Sequence, residues 1–381
     1  MANRWFMGMI RFRWYVIASA LLITFAAGWG VNLLQMKSDY REFFSESDPN
    51  RTSFDRLQNT YTQSDAVLFV IAPTDGQVFQ NDVLQMVEEL TADAWLLPYS
   101  LRVDSITNFQ HTQADEDGLL VGDLVEDASG LDAAKIAAIQ DIALNEKLLY
   151  GRLITEAVNV TGVAATINFP GVSNDEFGEV AQAARELAAR YRLRYPNITI
   201  YLSGMVMGNS ANTEVIEKDA GLLVPLMGGI VLFALFLLLR SFHATLATLL
   251  IILSTLVSAL GLTGWLGFSI TGPSSAAPVI ILTMAVADCV HILVSYFFLL
   301  RQQRAKNEAI VESLTMNLGP IFLTSLTTAI GFLSMNFSDS PPFPVLGTAS
   351  AMGVSIAFSF SIYLLPALMA ILPLKQKEPS A

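Results

Sequence analysis

The chain has 381 residues, of which 53% are hydrophobic and 15% charged, with a net charge of −12. That balance lies on the membrane side of the soluble average. It excludes nucleic acid as a partner, because phosphate binding needs clustered Lys and Arg. The charge is uneven: residues 36–220 hold 29 Asp/Glu against 13 Lys/Arg, or −16, and the remainder holds 5 against 9, or +4. An acidic soluble block is therefore inserted into an apolar, slightly basic framework.

Taken in order, the first apolar run is residues 14–34, preceded by Arg4, Arg11 and Arg13. It is longer than a signal-peptide core and no small-residue cleavage site follows, so it reads as an uncleaved anchor. The acidic block comes next. Residues 66–72 (AVLFVIA) read as a buried strand, 81–97 as an amphipathic helix, and 103–109 as a second strand. Residues 110–132 read as an acidic connector and 133–149 as a helix. A second strand–helix–strand set follows at 163–169, 175–195 and 197–202. Two βαβ units predict a pair of small α/β (ferredoxin-like) subdomains. Residues 203–219 read as a helix leading into the next span without a breaker, which would couple the block to the membrane.

Five further runs are long enough to cross a bilayer: 222–239, 244–268, 277–300, 318–337 and 345–372. Arg240, Arg301, Arg304, Lys306, Lys375 and Lys377 all fall on one side if both termini are cytoplasmic, while the opposite links carry no Lys or Arg. The fold class expected is thus an α-helical membrane protein. It has a cytoplasmic N-terminus and first span (1–35), an outer periplasmic α/β domain (36–220), five spans (221–373) and a cytoplasmic tail (374–381). Residues 307–317 (NEAIVESLTMN) read as a separate amphipathic helix on the inner membrane surface. The one cysteine, Cys289, forms no intrachain disulfide.

Asp288 is the only Asp or Glu within any expected span, near the middle of the fourth. A charged Asp there costs about 2.5–3.5 kcal/mol on insertion scales. His291 lies three residues on, and so is expected on the same helix face. Burial disfavours the charged form of both, which suits groups that exchange protons near neutral pH. The rival reading is a neutral structural Asp. In the fifth span Thr324, Ser325, Thr327 and Thr328 are candidate proton partners, although such hydroxyls usually bond their own helix. One Asp and one His leave a metal under-ligated, so no metal is expected. No nucleophile elbow, Walker loop, HExxH or dinucleotide fingerprint occurs, so neither an enzyme nor a cofactor is expected.

One span, a large outer block and five more spans together resemble one half of a resistance-nodulation-division (RND) transporter. The stretch from Gly272-Pro273 through Pro278 to Ala287-Asp288-Cys289-Val290-His291 is similar to the fourth helix of the lipid-exporting branch, with its mycobacterial-type large membrane proteins and hopanoid exporters. The segments Glu308–Ser313, Gly319-Pro320 and Thr324–Phe332 resemble the branch's surface helix and fifth helix. Asp219 followed by Pro225 also fits, at the expected point of domain coupling. The resemblance implies that Asp288 carries the proton, and that the substrate is a membrane lipid or other hydrophobic molecule. It also implies pairing with a second six-helix half, as a homodimer or a separate chain, in a bacterial inner membrane. Drug-pump relatives carry paired acidic residues where this chain has Ala287-Asp288. The alternatives are a lipid sensor like sterol-sensing domains, separated by the absence of proton flux, and an accessory subunit of a protein-secretion apparatus, separated by copurification with a channel.

Overall fold

A computed structural model describes residues 2–36, 39–61, 65–115, 118–173 and 175–373. They form two compact units, Met1–Glu46 with Thr213–Ala381, and Ser47–Asn212. The first unit begins with α1 (Ala2–Arg11), α2 (Arg13–Gly28) and the short strand β1 (Gln35–Met36). The second unit holds α3 (Pro49–Thr60), β2 (Ala66–Pro73), α4 (Asn81–Ala94), β3 (Ser100–Asp104), β4 (Gln110–Asp115), β5 (Gly118–Asp123), α5 (Ala133–Asn145), β6 (Thr161–Ile167), α6 (Glu176–Arg194) and β7 (Ile198–Ser203). Helix α7 (Met205–Lys218) leads the chain back into the first unit. There follow α8 (Val224–Leu239), α9 (Phe242–Trp265), β8 (Ser269–Ile270), α10 (Ala277–Arg301), α11 (Lys306–Leu333) and α12 (Pro342–Ile371).

The second unit is built on one four-stranded sheet, in the order β3-β6-β2-β7, with every neighbouring pair antiparallel. Both βαβ units therefore enter the same sheet, which corrects the expected pair of subdomains. The reason is geometric: each unit alone would offer two strands, too few to bury a core. Interleaving them puts β2 in the middle, where Val67, Phe69 and Ile71 alternate inward and are fully buried. They join Leu84, Val87 and Leu90 of α4 and Val180, Ala184 and Leu187 of α6 in one core.

Two other expectations shift here. The strand placed at 103–109 ends at Asp104, because Asn108 turns the chain. Its side-chain amide donates to Val103 O at 2.7 Å and its carbonyl accepts from Ser105 N at 2.8 Å. The acidic connector is in part a hairpin, β4 paired with β5.

Glu176, 5% exposed, opens α6 by accepting from the backbone N–H groups of Gly171, Val172 and Ser173 at 2.7–3.0 Å. Burial alone would push its carboxyl up, but the three donors outweigh that and hold it below its ordinary 4.5. A lowered folded-state value means that its stabilisation is fully present above about pH 4.5 and fades as pH falls through the folded value. Glu176→Ala therefore lowers the melting temperature by a few degrees at pH 7, and the gap to wild type closes in scans at progressively lower pH.

Among the described residues, six helical runs are long and apolar enough to cross a membrane: Arg13–Leu33, Met205–Leu239, Phe242–Trp265, Pro273–Arg301, Lys306–Phe337 and Pro342–Ile371. The second run includes a π turn at Asp219–Leu223, immediately before Pro225. A proline cannot donate an N–H to the preceding turn, and a widened turn accommodates that.

The separate surface helix expected at 307–317 is instead the first part of an unbroken α11, which continues through Pro320. Lateral packing overrides the breaker there. Ala309, Ile310, Val311 and Leu314 share a buried cluster with Phe6, Met9 and Ile10 of α1, a helix not anticipated in the sequence. Trp5, Trp14 and Tyr15 remain exposed around it, as interfacial aromatics do.

Lys306 Nζ donates to Ala370 O at 3.0 Å and Leu372 O at 2.9 Å, tying the start of α11 to the end of α12. Lys306→Met removes about 1–2 kcal/mol of local stability. The measurement is amide hydrogen exchange, which should rise in the last turn of α12 and stay level in α9.

Candidate functional site within the helical unit

Helix α10 packs against α8, α9, α11 and α12 and so stands in the middle of its unit. Small residues allow these approaches. A Cβ at Gly353 of α12 would collide with the Ile281 side chain, and one at Gly347 with the backbone of Phe332. Along the α9/α10/α12 seam the contacts form layers. Ala259, Ala277, Ile281 and Ala349 make one, and Ile252, Leu282, Ala285 and Ala357 the next. One turn further, Cys289 Sγ lies 3.7 Å from Ser361 Oγ.

Asp288 sits between the second layer and Cys289, near the middle of α10 and 2% exposed. Its flanking residues Ala285 and Cys289 meet α9 and α12, so the carboxyl belongs to the interior of its own bundle. Asp288 Oδ2 has no hydrogen-bond partner among the described residues. An ionisable group so placed is a strong functional candidate, because an unpaired charge in a bilayer core is costly unless its protonation changes are used.

The other expected residues are placed differently. His291 is exposed on α10, in a stripe with Thr283, Ala287, Val294 and Phe298, while Asp288 is buried. Three residues along a helix leave about 60° between two side chains, enough to separate an inward from an outward position. Thr324 and Thr327 are exposed, and their hydroxyls bond the carbonyls of Pro320, and of Leu323 and Thr324. Thr328 is half-buried, and Ser325 is buried with its Oγ unpartnered among the described residues. Asp219 opens the π turn and Pro225 stands in the first turn of α8.

What the sequence reading missed is the polar content of α9 and α12. Thr255 and Ser258 of α9, Ser350 of α12 and Tyr296 of α10 are buried, at 0–1% exposure. The signal was available, since Thr248, Thr255 and Ser258 recur at spacings of seven and three and so lie on one face of α9. No group of His, Cys, Asp and Glu able to hold a metal ion occurs among the described residues.

A model of the MMPL family matches residues 111–379, a stretch that includes α8 to α12 and Asp288. The chain belongs to the MMPL family. Two relatives, each 27% identical over 179 residues, are "Probable transport protein MmpL12" of Mycobacterium tuberculosis strain CDC 1551 / Oshkosh and the protein of the same name from strain ATCC 25618 / H37Rv. The aligned stretch is 46% of this chain but 16% of each relative, so the chain spans a minor part of the relatives it matches. The resemblance read from the fourth and fifth spans is thereby upheld at the level of the family.

Proposed function

We propose that this MMPL-family chain is one half of a transporter that uses the proton motive force to move a hydrophobic substrate, a membrane lipid by class. The observation that carries the reading is Asp288, a buried carboxyl near the middle of the apolar helix α10 with one oxygen unpartnered among the described residues. In the orientation with both termini cytoplasmic, Asp288 takes a proton from the periplasmic side and releases it to the cytoplasm. Each proton crossing 100 mV supplies about 2.3 kcal/mol, enough to bias an equilibrium of a few kcal/mol. Neutralising Asp288 changes which helix packing is favoured, and the helical run Met205–Leu239, with its π turn at Asp219, transmits that change toward the periplasmic domain.

The pairing of two halves is supported by the outward face of α10 and α11. Thr283, Ala287 and His291 of α10, with Thr324 and Thr327 of α11, are polar or small and exposed within spans, interspersed with exposed Val294, Phe298, Leu323 and Leu326. The exposed face of α8, by contrast, carries Leu226, Ile230, Phe233 and Leu237, which suit lipid. A His turned toward acyl chains is unfavourable, whereas polar and small residues suit a helix–helix interface. The second half covers that face. Release in mild detergent followed by native mass spectrometry tests the arrangement. A two-half complex carrying a lipid is the expected result; a lipid-free single chain that sheds no partner under any mild condition counts against it.

A further inference from the structure

Most hydroxyls in the helical unit bond a carbonyl of their own helix three or four residues back. Thr248 bonds Ala244 O, Thr263 bonds Ala259 O, Ser313 bonds Ile310 O and Ser355 bonds Ala351 O. The exceptions divide into two groups. Among the described residues, Thr255 Oγ1, Ser258 Oγ, Ser350 Oγ, Tyr296 Oη and Asp288 Oδ2 are buried without a hydrogen-bond partner around the middle of the unit, and Thr24 Oγ1, Ser241 Oγ and Ser325 Oγ are so elsewhere in it. Thr255 and Asp288 lie on faces that meet at the α9/α10/α12 seam, and Ser258 is three residues beyond Thr255 on α9. Thr255 falls between Ile252 and Ala259, the α9 members of the two layers around Asp288, and Ser350 adjoins Ala349.

Their depths are graded. In the proposed orientation Ser350 and Ser258 lie in the periplasmic half and Thr255 and Asp288 near the middle. Tyr296 starts toward the Arg301 end. Helical side chains lean toward the N-terminus of their helix, so the Tyr296 ring leans back toward Asp288, whose Cα is about 12 Å away along the axis.

Each such hydroxyl left without a partner costs about 1–3 kcal/mol. Several of them in one polar seam can share bridging waters, which need two to four polar neighbours each. We infer that the α9/α10/α12 seam carries a file of water reaching Asp288 from the periplasmic end, held by Thr255, Ser258 and Ser350, with Tyr296 on the cytoplasmic side. The inference rests on the proton-transport reading for its purpose. A hydronium in the file gives its proton to the Asp288 carboxylate, leaving water and a neutral carboxyl, and release toward Tyr296 reverses the balance. The access route then lies inside one half and does not depend on the outward face that bears His291.

The test is infrared spectroscopy of the full-length protein in lipid bilayers, moved from H2O to D2O. The carboxylic C=O band missing from Asp288→Asn reports Asp288. In wild type that band shifts quickly; in the triple variant Thr255→Val/Ser258→Ala/Ser350→Ala it shifts at least about tenfold more slowly. Thr255→Val alone, nearly isosteric, slows the shift in the same direction and serves if the triple variant does not fold. An unchanged rate in the folded variants overturns the water file. So does a wild-type band that exchanges no faster than the core amides of α10. A carboxylic band that appears at no pH overturns both the file and the proton reading. Proton uptake that survives Asp288→Asn while exchange stays fast removes the transport reading alone. Uptake that needs Asp288 but, like the exchange, ignores the triple variant removes the file alone.

Discussion

Asp288→Asn is expected, on the proposed proton reading, to lower proton-coupled transport by about 100-fold or more and to leave a folded protein. Asn has almost the shape of Asp and the position is buried, so the packing around Ala285 and Cys289 stays as it is. Asp288 Oδ2 has no hydrogen bond to lose among the described residues. What disappears is the group that can hold and release a proton. Because a mid-membrane carboxylate is a burden on the fold, the variant is expected to melt no lower than wild type. This separates the proton carrier from a neutral structural Asp, for which Asn would serve equally well and transport would persist. The measurement is substrate-dependent proton movement alongside a thermal melt of the same preparation.

Gly261→Leu, by contrast, removes the folded protein. At the crossing of α2 and α9 the backbones touch. A Cβ on Gly261 would strike the backbone of Ala27, one on Gly264 the backbone of Gly30, and one on Gly30 the backbone of Gly261. Backbone atoms cannot swing aside as a side-chain tip can, so α2 must leave α9. The cost is about 3 kcal/mol or more, a large share of the stability of a domain. Gly229→Leu is the matched control, since a Cβ on that α8 residue meets nothing within 4 Å. Monodisperse yield in detergent should collapse for the first variant and hold for the second.

The spans were legible because length and hydropathy alone define a bilayer crossing, and they follow from residues such as the Leu-rich run of α8 without any knowledge of packing. The strands and helices of the other unit were legible where apolar residues alternated, as in β2, or recurred at helical spacing, as in α4 and α6. The hairpin β4–β5 was not, because Gln110–Asp115 is polar on both faces and carries no period. The continuity of α11 was hidden for another reason. Gly319-Pro320 is a genuine local break signal, and the packing of α11 along α10, α12 and α1, with Ile310, Leu314 and Ile321 in one buried cluster, overrides it.

At the site, Asp288 announced itself as a charge where hydrophobicity was expected. Its real surroundings did not. The partners chosen from the sequence, Thr324, Ser325, Thr327 and Thr328, were chosen for their density in the fifth span, yet the hydroxyls of Thr324 and Thr327 are taken by their own helix. Among the described residues, three of the hydroxyls left unpartnered lie on α9 and α12, where single polar residues among Leu and Ala look ordinary in the sequence. His291 shows the same limit. Spacing along one helix places it near Asp288, and only the neighbouring helices decide which of the two faces inward.

The most direct test of the account is proton uptake into sealed vesicles bearing the purified protein, with its partner half if that is a separate chain. An inward proton gradient is imposed and an internal pH dye is followed with a lipid extract supplied as substrate. The account predicts uptake that rises with the substrate lipid and vanishes in Asp288→Asn. Lipid movement without proton uptake, or uptake that is equal in Asp288→Asn, would contradict it.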